Sequence, residues 1–236
     1  MEPQHIRAKR GDVAERAVIS GDPARVVQLS GLLRRRRLVN ENRGFLTYTG
    51  EYDGRSITVA CHGIGGPSVA VVAEELIMLG ARAIVRLGSC GGLLRPMRVG
   101  EMVIVTGAGY KGGTLNQYFD RKITPKPDRI LTQLLKDSAN EQGARYYTGQ
   151  VFSSDAFYAE DLDFATASAK KGYIAIEMEC ATLFGLGKLR KVKTASLLLV
   201  SDNITESAPI VDAETLREYV AKAGKIVFEG LNRSQV

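Results

Sequence analysis

The sequence predicts an α/β fold: a single domain over residues 1–236, arranged as a three-layer α/β/α sandwich on a central mixed, mostly parallel sheet. Three observations carry this prediction. Near-continuous apolar runs of strand length alternate with stretches of helical spacing. Glycines, 25 against only 7 prolines, punctuate the ends of those runs. The chain has 236 residues, 44% of them apolar, with no linker, low-complexity segment or internal repeat, which suits one large core.

The elements follow in order. "RAVIS" (16–20) is an apolar strand that stops at "GDP", and "ARVVQLSGLL" (24–33) has helical spacing. The "RRRR" run (34–37) is expected to cover the end of that helix and reach into solvent. "FLTYTGEY" and "RSITVACH" flank Asp53-Gly54, a hairpin signal. After the turn "GIGGP" come a helix (68–79), the strand "ARAIVRLGS" and the strand "EMVIVTGAGY". Residues 107–127 form a long irregular segment, of the kind that in compact domains is usually functional or mobile. A helix (131–141), the extended run "ARYYTGQVFSSDAF" and a polar helix (159–171) come next. "YIAIEMECATLF" (173–184) reads as a buried strand, followed by a helix through Leu189, the very apolar strand "TASLLLVSDN", and a C-terminal helix (213–231).

Charge and cysteine content narrow the function. A net charge of +6 favours anionic partners without separating phosphate esters from nucleic acid. The arginine run lacks the interleaved aromatics of single-strand binders, so no nucleic-acid partner is expected. Cys61, Cys90 and Cys180 fit no zinc or C-x-x-C spacing and read as buried thiols in a reducing compartment. No run has signal-peptide or membrane-spanning character, and a cytoplasmic location with no membrane partner is expected.

Ligands of open α/β sheets gather where strands end, so those ends are the informative places. The first carries "SGDPAR", with Arg25 one turn into a helix; the fourth runs through Arg86 into "LGSCGG". Both are rich in anion donors: guanidiniums, the Ser89 hydroxyl and glycine N–H groups. The later strands end in "EMEC" and "VSDN", which offer carboxylates. Glu177 and Glu179, one residue apart in an apolar run, would lie on the same side of a regular strand, and a buried unpaired carboxylate is costly.

Structural readings stand beside these. "GDPAR" also fits a plain strand-to-helix turn. Glu177 and Glu179 also fit salt bridges to basic residues, Asp202 a turn cap, and Arg43 in "NENRGF" a solvated side chain. Familiar motifs fail. "HGIGGPS" has serine where the dinucleotide fingerprint needs its last glycine, no phosphate-binding G-x-x-x-x-G-K-[ST] occurs, and "LGSCG" misses the nucleophile elbow. With His5 and His62 as its only histidines, a histidine triad or metal site is hard to assemble, and no metal is expected.

As an ordered set, "GDPAR … NENRGF … HGIGGPS … RLGSCGGL … SSDAFYAED … IEMECATL … VSDN" resembles the nucleoside phosphorylases of the hexameric purine nucleoside and uridine phosphorylase type, over nearly the whole chain. Purine enzymes, including archaeal 5′-methylthioadenosine phosphorylases, look nearest. The resemblance implies reversible conversion of a purine nucleoside and phosphate to free base and ribose 1-phosphate, with phosphate as co-substrate and no cofactor. It implies that Gly21, Arg25, Arg86 and Ser89 hold phosphate, with Arg43 reaching in from a neighbouring subunit. His5, also from the neighbour, would meet the 5′ end of the sugar. Met178 and Glu179 would grip the ribose, Glu177 would support that site or bond the 2′-hydroxyl, and Phe157 would stack on base or sugar. Ser201 and Asp202 would form the base-side pair, Asp202 being the acid facing N7. Borrowed residues imply a homo-oligomer, a hexamer built as a trimer of dimers.

The resemblance leaves related activities to weigh. Uridine enzymes of this type read uracil through a Gln-x-Arg pair that is not found here. Phosphate-independent nucleosidases lack the set Arg25, Arg43 and Arg86. A non-catalytic nucleoside binder would need a broken site, and these positions are intact. Arg217 is a possible partner of Asp202, although the intervening segment does not align cleanly.

Overall fold

The structure, a computed structural model, describes residues 2–111, 113–206, 209–212 and 214–236. In chain order its elements are β1 (Arg16–Ser20), α1 (Pro23–Ser30), β2 (Arg34–Asn40), β3 (Thr47–Tyr52), β4 (Arg55–Cys61), α2 (Gly66–Leu79), β5 (Ala83–Gly92) and β6 (Met102–Tyr110). Then come α3 (Leu115–Tyr118), α4 (Arg129–Glu141), β7 (Tyr146–Ser153), α5 (Leu162–Lys170), β8 (Tyr173–Glu177), α6 (Cys180–Arg190), β9 (Lys193–Asn203) and α7 (Arg217–Arg233). Ala213, the expected first residue of the C-terminal helix, and Gly112 in the expected irregular segment lie outside the described residues.

Alternation along the strands builds the layers. Ala17 and Ile19 of β1 and Ile84 of β5 face one cluster, which α2 and α6 complete with Val69, Leu76, Leu183 and Phe184. Val18, Val85 and Leu87 face the other, completed by Leu29 of α1, Leu135 of α4 and Ile226 and Phe228 of α7. Each such fully buried Leu, Ile or Phe contributes about 1.5–3 kcal/mol. The expected α/β/α layering is therefore present.

Parallel strands β4, β1, β5 and β9 run side by side and share one C-terminal edge. The nine-stranded order is β2-β3-β4-β1-β5-β8-β7-β6-β9, and β9 also pairs with β5, so the second half of the sheet curls back on itself. At Gly91 and Gly92, β5 pairs with Ile176 and Ala175 of β8, while a bulge at Cys90/Gly91 shifts its register with β9. These departures open the sheet where the strands end.

The hairpin forms as expected: Tyr52 pairs with Arg55, and Asp53 and Gly54 both take positive φ, 45° and 75°, as a two-residue turn matching the strand twist requires. Three expectations are corrected. The "RRRR" run does not cover a helix end. α1 stops at Ser30, and Arg34–Arg37 begin edge strand β2, paired with β3. Four consecutive charges hide the strand alternation, and their exposure keeps the edge from pairing with another chain. Arg86 consequently lies on the fifth strand. "YIAIEMECATLF" is not one strand: β8 ends at Glu177, and Glu179, at φ −136° and ψ −24°, is the residue before helix α6. Finally, the irregular segment starts later than expected, because β6 continues through Tyr110.

Candidate active site

The shared C-terminal edge opens into a cleft of about 640 Å³. Gly21, Arg25, Arg86, Ser89, Phe157, Glu177, Met178, Glu179, Ser201 and Asp202 all line it. Residues separated by up to 181 positions in sequence thus meet because β1, β5, β8 and β9 end together. A larger hollow of about 800 Å³ lies between the 111–122 segment and α5, but its Lys111, Asp120, Arg121, Lys122 and Lys171 are all exposed. Converging buried charges distinguish the smaller cleft.

Arg86 lies at its floor with only 4% of its surface exposed. Its Nη2 donates to Oε2 of Glu179, and its Nη1 sits 3.3 Å from Oε2 of Glu177. The guanidinium folds back beside Gly88, where any Cβ would collide with it. Burial opposes its charge, but the two carboxylates outweigh burial and hold it protonated above its usual value. Glu179 mirrors this. Burial opposes its ionisation, while Arg86 foremost, with a 2.6 Å hydrogen bond from the Gly65 N–H, keeps its carboxyl below the usual range.

Glu177 has a different job. Its carboxylate accepts from the Glu179 N–H at 2.8 Å, the Cys180 N–H at 2.9 Å and the Ser153 hydroxyl, while Ser153 Oγ accepts from the Ala181 N–H at 2.9 Å. Glu177 and Ser153 together satisfy three of the free donors at the start of α6, the N–H groups of Glu179, Cys180 and Ala181. That is why two carboxylates persist in an apolar run: one caps a helix, the other faces the cleft, and one arginine compensates both.

Arg25 forms the other cationic group, 9% exposed. Burial lowers its pKa, Asp22 partly offsets this, and the Arg86 charge lowers it further. Two buried guanidiniums that repel each other are relieved by an anion placed between them. Gly21 permits close approach here: a Cβ would stand 2.7 Å from the Gly63 carbonyl and 3.4 Å from the His62 ring. Nearby, Ser20 Oγ, both ring nitrogens of His62 and Arg86 Nε are buried without a partner among the described residues. Burial lowers His62 to about 4, so its ring is neutral.

In the same cleft, burial raises the Asp202 carboxyl above its usual range, opposed in part by a 2.7 Å hydrogen bond from Ser201 Oγ to Oδ1. Ser201 itself is buried and also lies 3.2 Å from the Cys90 carbonyl. Ile64, Phe157, Tyr158 and Ile210 form an exposed apolar rim.

His5 and Arg43 are not in the cleft of their own chain. They share a separate surface: the Asn42 side chain donates to the His5 carbonyl at 3.0 Å, and the His5 ring meets Phe45 edge-on at 6.2 Å. Arg43 is exposed and held at φ 56°, a conformation that costs a non-glycine residue about 1–2 kcal/mol. Glu75, which sequence reasoning missed, fixes this segment. It accepts from the N–H groups of Gln4 (2.9 Å), His5 (3.0 Å) and Ile6 (2.6 Å), and its Oε1 lies 2.7 Å from His5 Nδ1. No local signal links residues 70 positions apart. Arg217 does not meet Asp202: it pairs with Glu214 at 3.2 Å on the surface. Among the described residues, no group of His, Cys, Asp or Glu is arranged to hold a metal ion, and the three cysteines are free and buried.

An α/β sheet with an anion-receptive corner, a paired carboxylate and a raised carboxyl in one cleft defines a protein that handles a small polar ligand at its strand ends. Comparison with known proteins gives the family: residues 15–231 match the phosphorylase superfamily, and the chain belongs to it. It is 34% identical over 200 residues to a guanosine phosphorylase of Halorubrum lacusprofundi, covering 85% of this chain and 83% of that one. It is 35% identical over 215 residues to a uridine phosphorylase of Treponema pallidum, covering 86% and 83%. Its fold matches the crystal structure of purine nucleoside phosphorylase from Toxoplasma gondii in complex with immucillin-H, with a TM-score of 0.89 at 25% identity over 98% of this chain and 94% of that one.

Proposed function

We propose that this protein catalyses the reversible phosphorolysis of purine nucleosides, giving free base and ribose 1-phosphate, with phosphate as co-substrate and no cofactor. The carrying observation is the polarity of the cleft. Arg25 and Arg86, Asp202 with its raised carboxyl, and Met178 and Glu179 all line this one cleft.

Glycosidic cleavage builds positive charge on the sugar and negative charge on the leaving base. Phosphate held by Arg25, Arg86, Ser89 and the Gly21 backbone supplies the nucleophile and compensates the sugar's charge. Glu179 accepts from the ribose hydroxyls, with Glu177 as its support through the α6 cap. Asp202, whose carboxyl burial raises above its usual range, gives its proton to N7 of the base as the bond to C1′ breaks. Phe157 and the apolar rim cover the base, and Ser201 orients Asp202.

Assembly follows from the charge balance. Glu177 and Glu179 already offset Arg86, leaving Arg25 as the uncompensated cation for a phosphate dianion. Arg43 of a neighbouring copy would supply the missing charge, and His5, carried on the same surface, would meet the sugar's 5′ group. A homo-hexamer, arranged as a trimer of dimers, provides this exchange. Buried free thiols suit a reducing, cytoplasmic setting, and no helix among the described residues is long and apolar enough to cross a membrane.

The relative named as a uridine phosphorylase keeps a pyrimidine reading in view. An acid whose carboxyl is raised, Asp202, favours purines, because only they offer N7 to it. Incubation with inosine, guanosine, adenosine and uridine, with and without phosphate, tests the proposal. Phosphate-dependent release of purine supports it. Release without phosphate means a nucleosidase, uracil release alone a uridine enzyme, and no release a binder.

A further inference from the structure

The segment that follows β6 has no part in the chemistry above. With α5, the end of β7 and the start of β8 it encloses the hollow of about 800 Å³, which shares no lining residue with the cleft. Lys111, Arg121 and Lys122 of the segment and Lys171 beside α5 line it, against the single carboxylate of Asp120. We propose that this hollow is a second, non-catalytic ligand site for a mononucleotide, with the phosphate among the cations and the base against an aromatic wall. The proposal stands apart from the phosphorylase reading.

The rim is anchored on both sides. The Ile123 N–H donates to the Tyr110 hydroxyl at 3.2 Å and the Ala108 N–H to the Pro125 carbonyl at 3.0 Å, which ties residues 123–125 back onto β6. The Phe119 N–H donates to the Leu115 carbonyl at 3.0 Å, and Leu115 is buried in the core. Arg121 and Lys122 are carried between these two points. The charges are also uncompensated. None of Lys111, Arg121, Lys122 and Lys171 forms an ion pair among the described residues, whereas Arg82, Arg190 and Arg233 on other surfaces do. Lys171 has a second explanation, since it follows the last turn of α5, where a cation suits the helix end. No helix end accounts for Arg121 or Lys122. Like charges set around a concave, low-dielectric wall focus a field that an anion relieves.

The wall itself is aromatic. Phe152 meets Phe164 edge-on with ring centroids 5.6 Å apart, and its ring lies 5.3 Å from that of Tyr173. With Phe119 these rings line the hollow, and all four are half-buried. Rings beside unpaired cations match a ligand with a flat face and an anionic end. Inorganic phosphate would leave the rings bare, and a nucleoside would leave the cations unpaired. The volume suits one small molecule.

The test is calorimetric binding of guanosine 5′-monophosphate (GMP), with guanosine and ribose 5-phosphate as controls. The proteins are the wild type, the double variant Arg121→Ala/Lys122→Ala, and Arg25→Ala, which weakens the anion corner of the cleft. GMP should bind Arg25→Ala as tightly as the wild type, and the double variant at least about 10-fold more weakly, the loss of a charge-assisted hydrogen bond. Guanosine should not distinguish the double variant from the wild type, which shows that the variant is folded and its cleft intact. Ribose 5-phosphate should bind the wild type about 5- to 100-fold more weakly than GMP, the range of one stacked base. Added salt should weaken GMP binding. Absence of GMP binding overturns the proposal, as does an affinity lost in Arg25→Ala but kept in the double variant, which would put the nucleotide in the cleft. Ribose 5-phosphate bound as tightly as GMP would remove the base from the site. A single-stranded RNA bound far more tightly than GMP would replace the mononucleotide with nucleic acid.

Discussion

Arg86 and Glu179 form a buried ion pair at the floor of the cleft, Nη2 of the guanidinium donating to Oε2 of the carboxylate. Glu177 approaches the same guanidinium at 3.3 Å. One positive charge therefore stabilises two carboxylates in a dry environment. Replacing Arg86 with Met leaves both unpaired, and removing one partner of a buried pair costs about 3–5 kcal/mol. Urea unfolding at pH 7 should show a loss of that size, and an unchanged midpoint would contradict the pairing.

Asp202 is assigned the proton transfer. Its folded pKa is raised, so the acid form persists to higher pH than for an ordinary aspartate, and kcat should fall as pH rises through that raised value. Asp202→Asn should lower kcat for inosine and guanosine by about 10²- to 10⁴-fold. A nucleoside with an activated leaving group should lose far less. Equal losses on both substrates would mean that Asp202 only positions the base.

His62 gives the fold an acid-sensitive element. Its pKa is lowered from 6.5 to about 4 by burial, so between those values the unfolded chain takes up a proton that the folded ring refuses. Stability accordingly falls as pH falls through this window, by about 2–4 kcal/mol in total. Glu179, whose folded pKa is lowered, adds a further loss as pH falls through that value. In His62→Leu the part between pH 6.5 and 4 should flatten. Parallel curves for the two proteins would show that the histidine does not titrate on unfolding.

Glu75 positions His5 through backbone and ring contacts. Glu75→Gln should raise KM for nucleosides with a 5′-hydroxyl by about 10-fold, one charge-assisted hydrogen bond. It should leave 5′-deoxynucleosides nearly unaffected. A uniform loss across both substrates would indicate general loosening of the N-terminal segment.

Much of this was legible in the sequence because the signals were local. Asp53-Gly54 announces its turn, and apolar runs ending in glycine and a polar residue locate Gly21, Arg25, Arg86, Ser89 and Asp202 at strand ends. What was not legible depends on distant or masked partners. Arg34–Arg37 conceal a strand because every position is charged. Glu177 and Glu179 look equivalent in "EMEC", yet the strand ends at Glu177 and the helix begins after Glu179, which gives the first a capping role and leaves the second facing the cleft. Glu75 carries no local mark at all; only the packing of α2 under the N-terminal segment shows what it faces.

The central claim, that the Arg25–Arg86 corner gathers phosphate for attack on the sugar, is tested most directly by following guanosine cleavage by phosphorus NMR in the wild type and Arg25→Ala. The account predicts ribose 1-phosphate as the sugar product, and in the variant a phosphate KM raised at least about 10-fold with the guanosine KM little changed. Free ribose as the product, or a variant defect confined to guanosine, would contradict it.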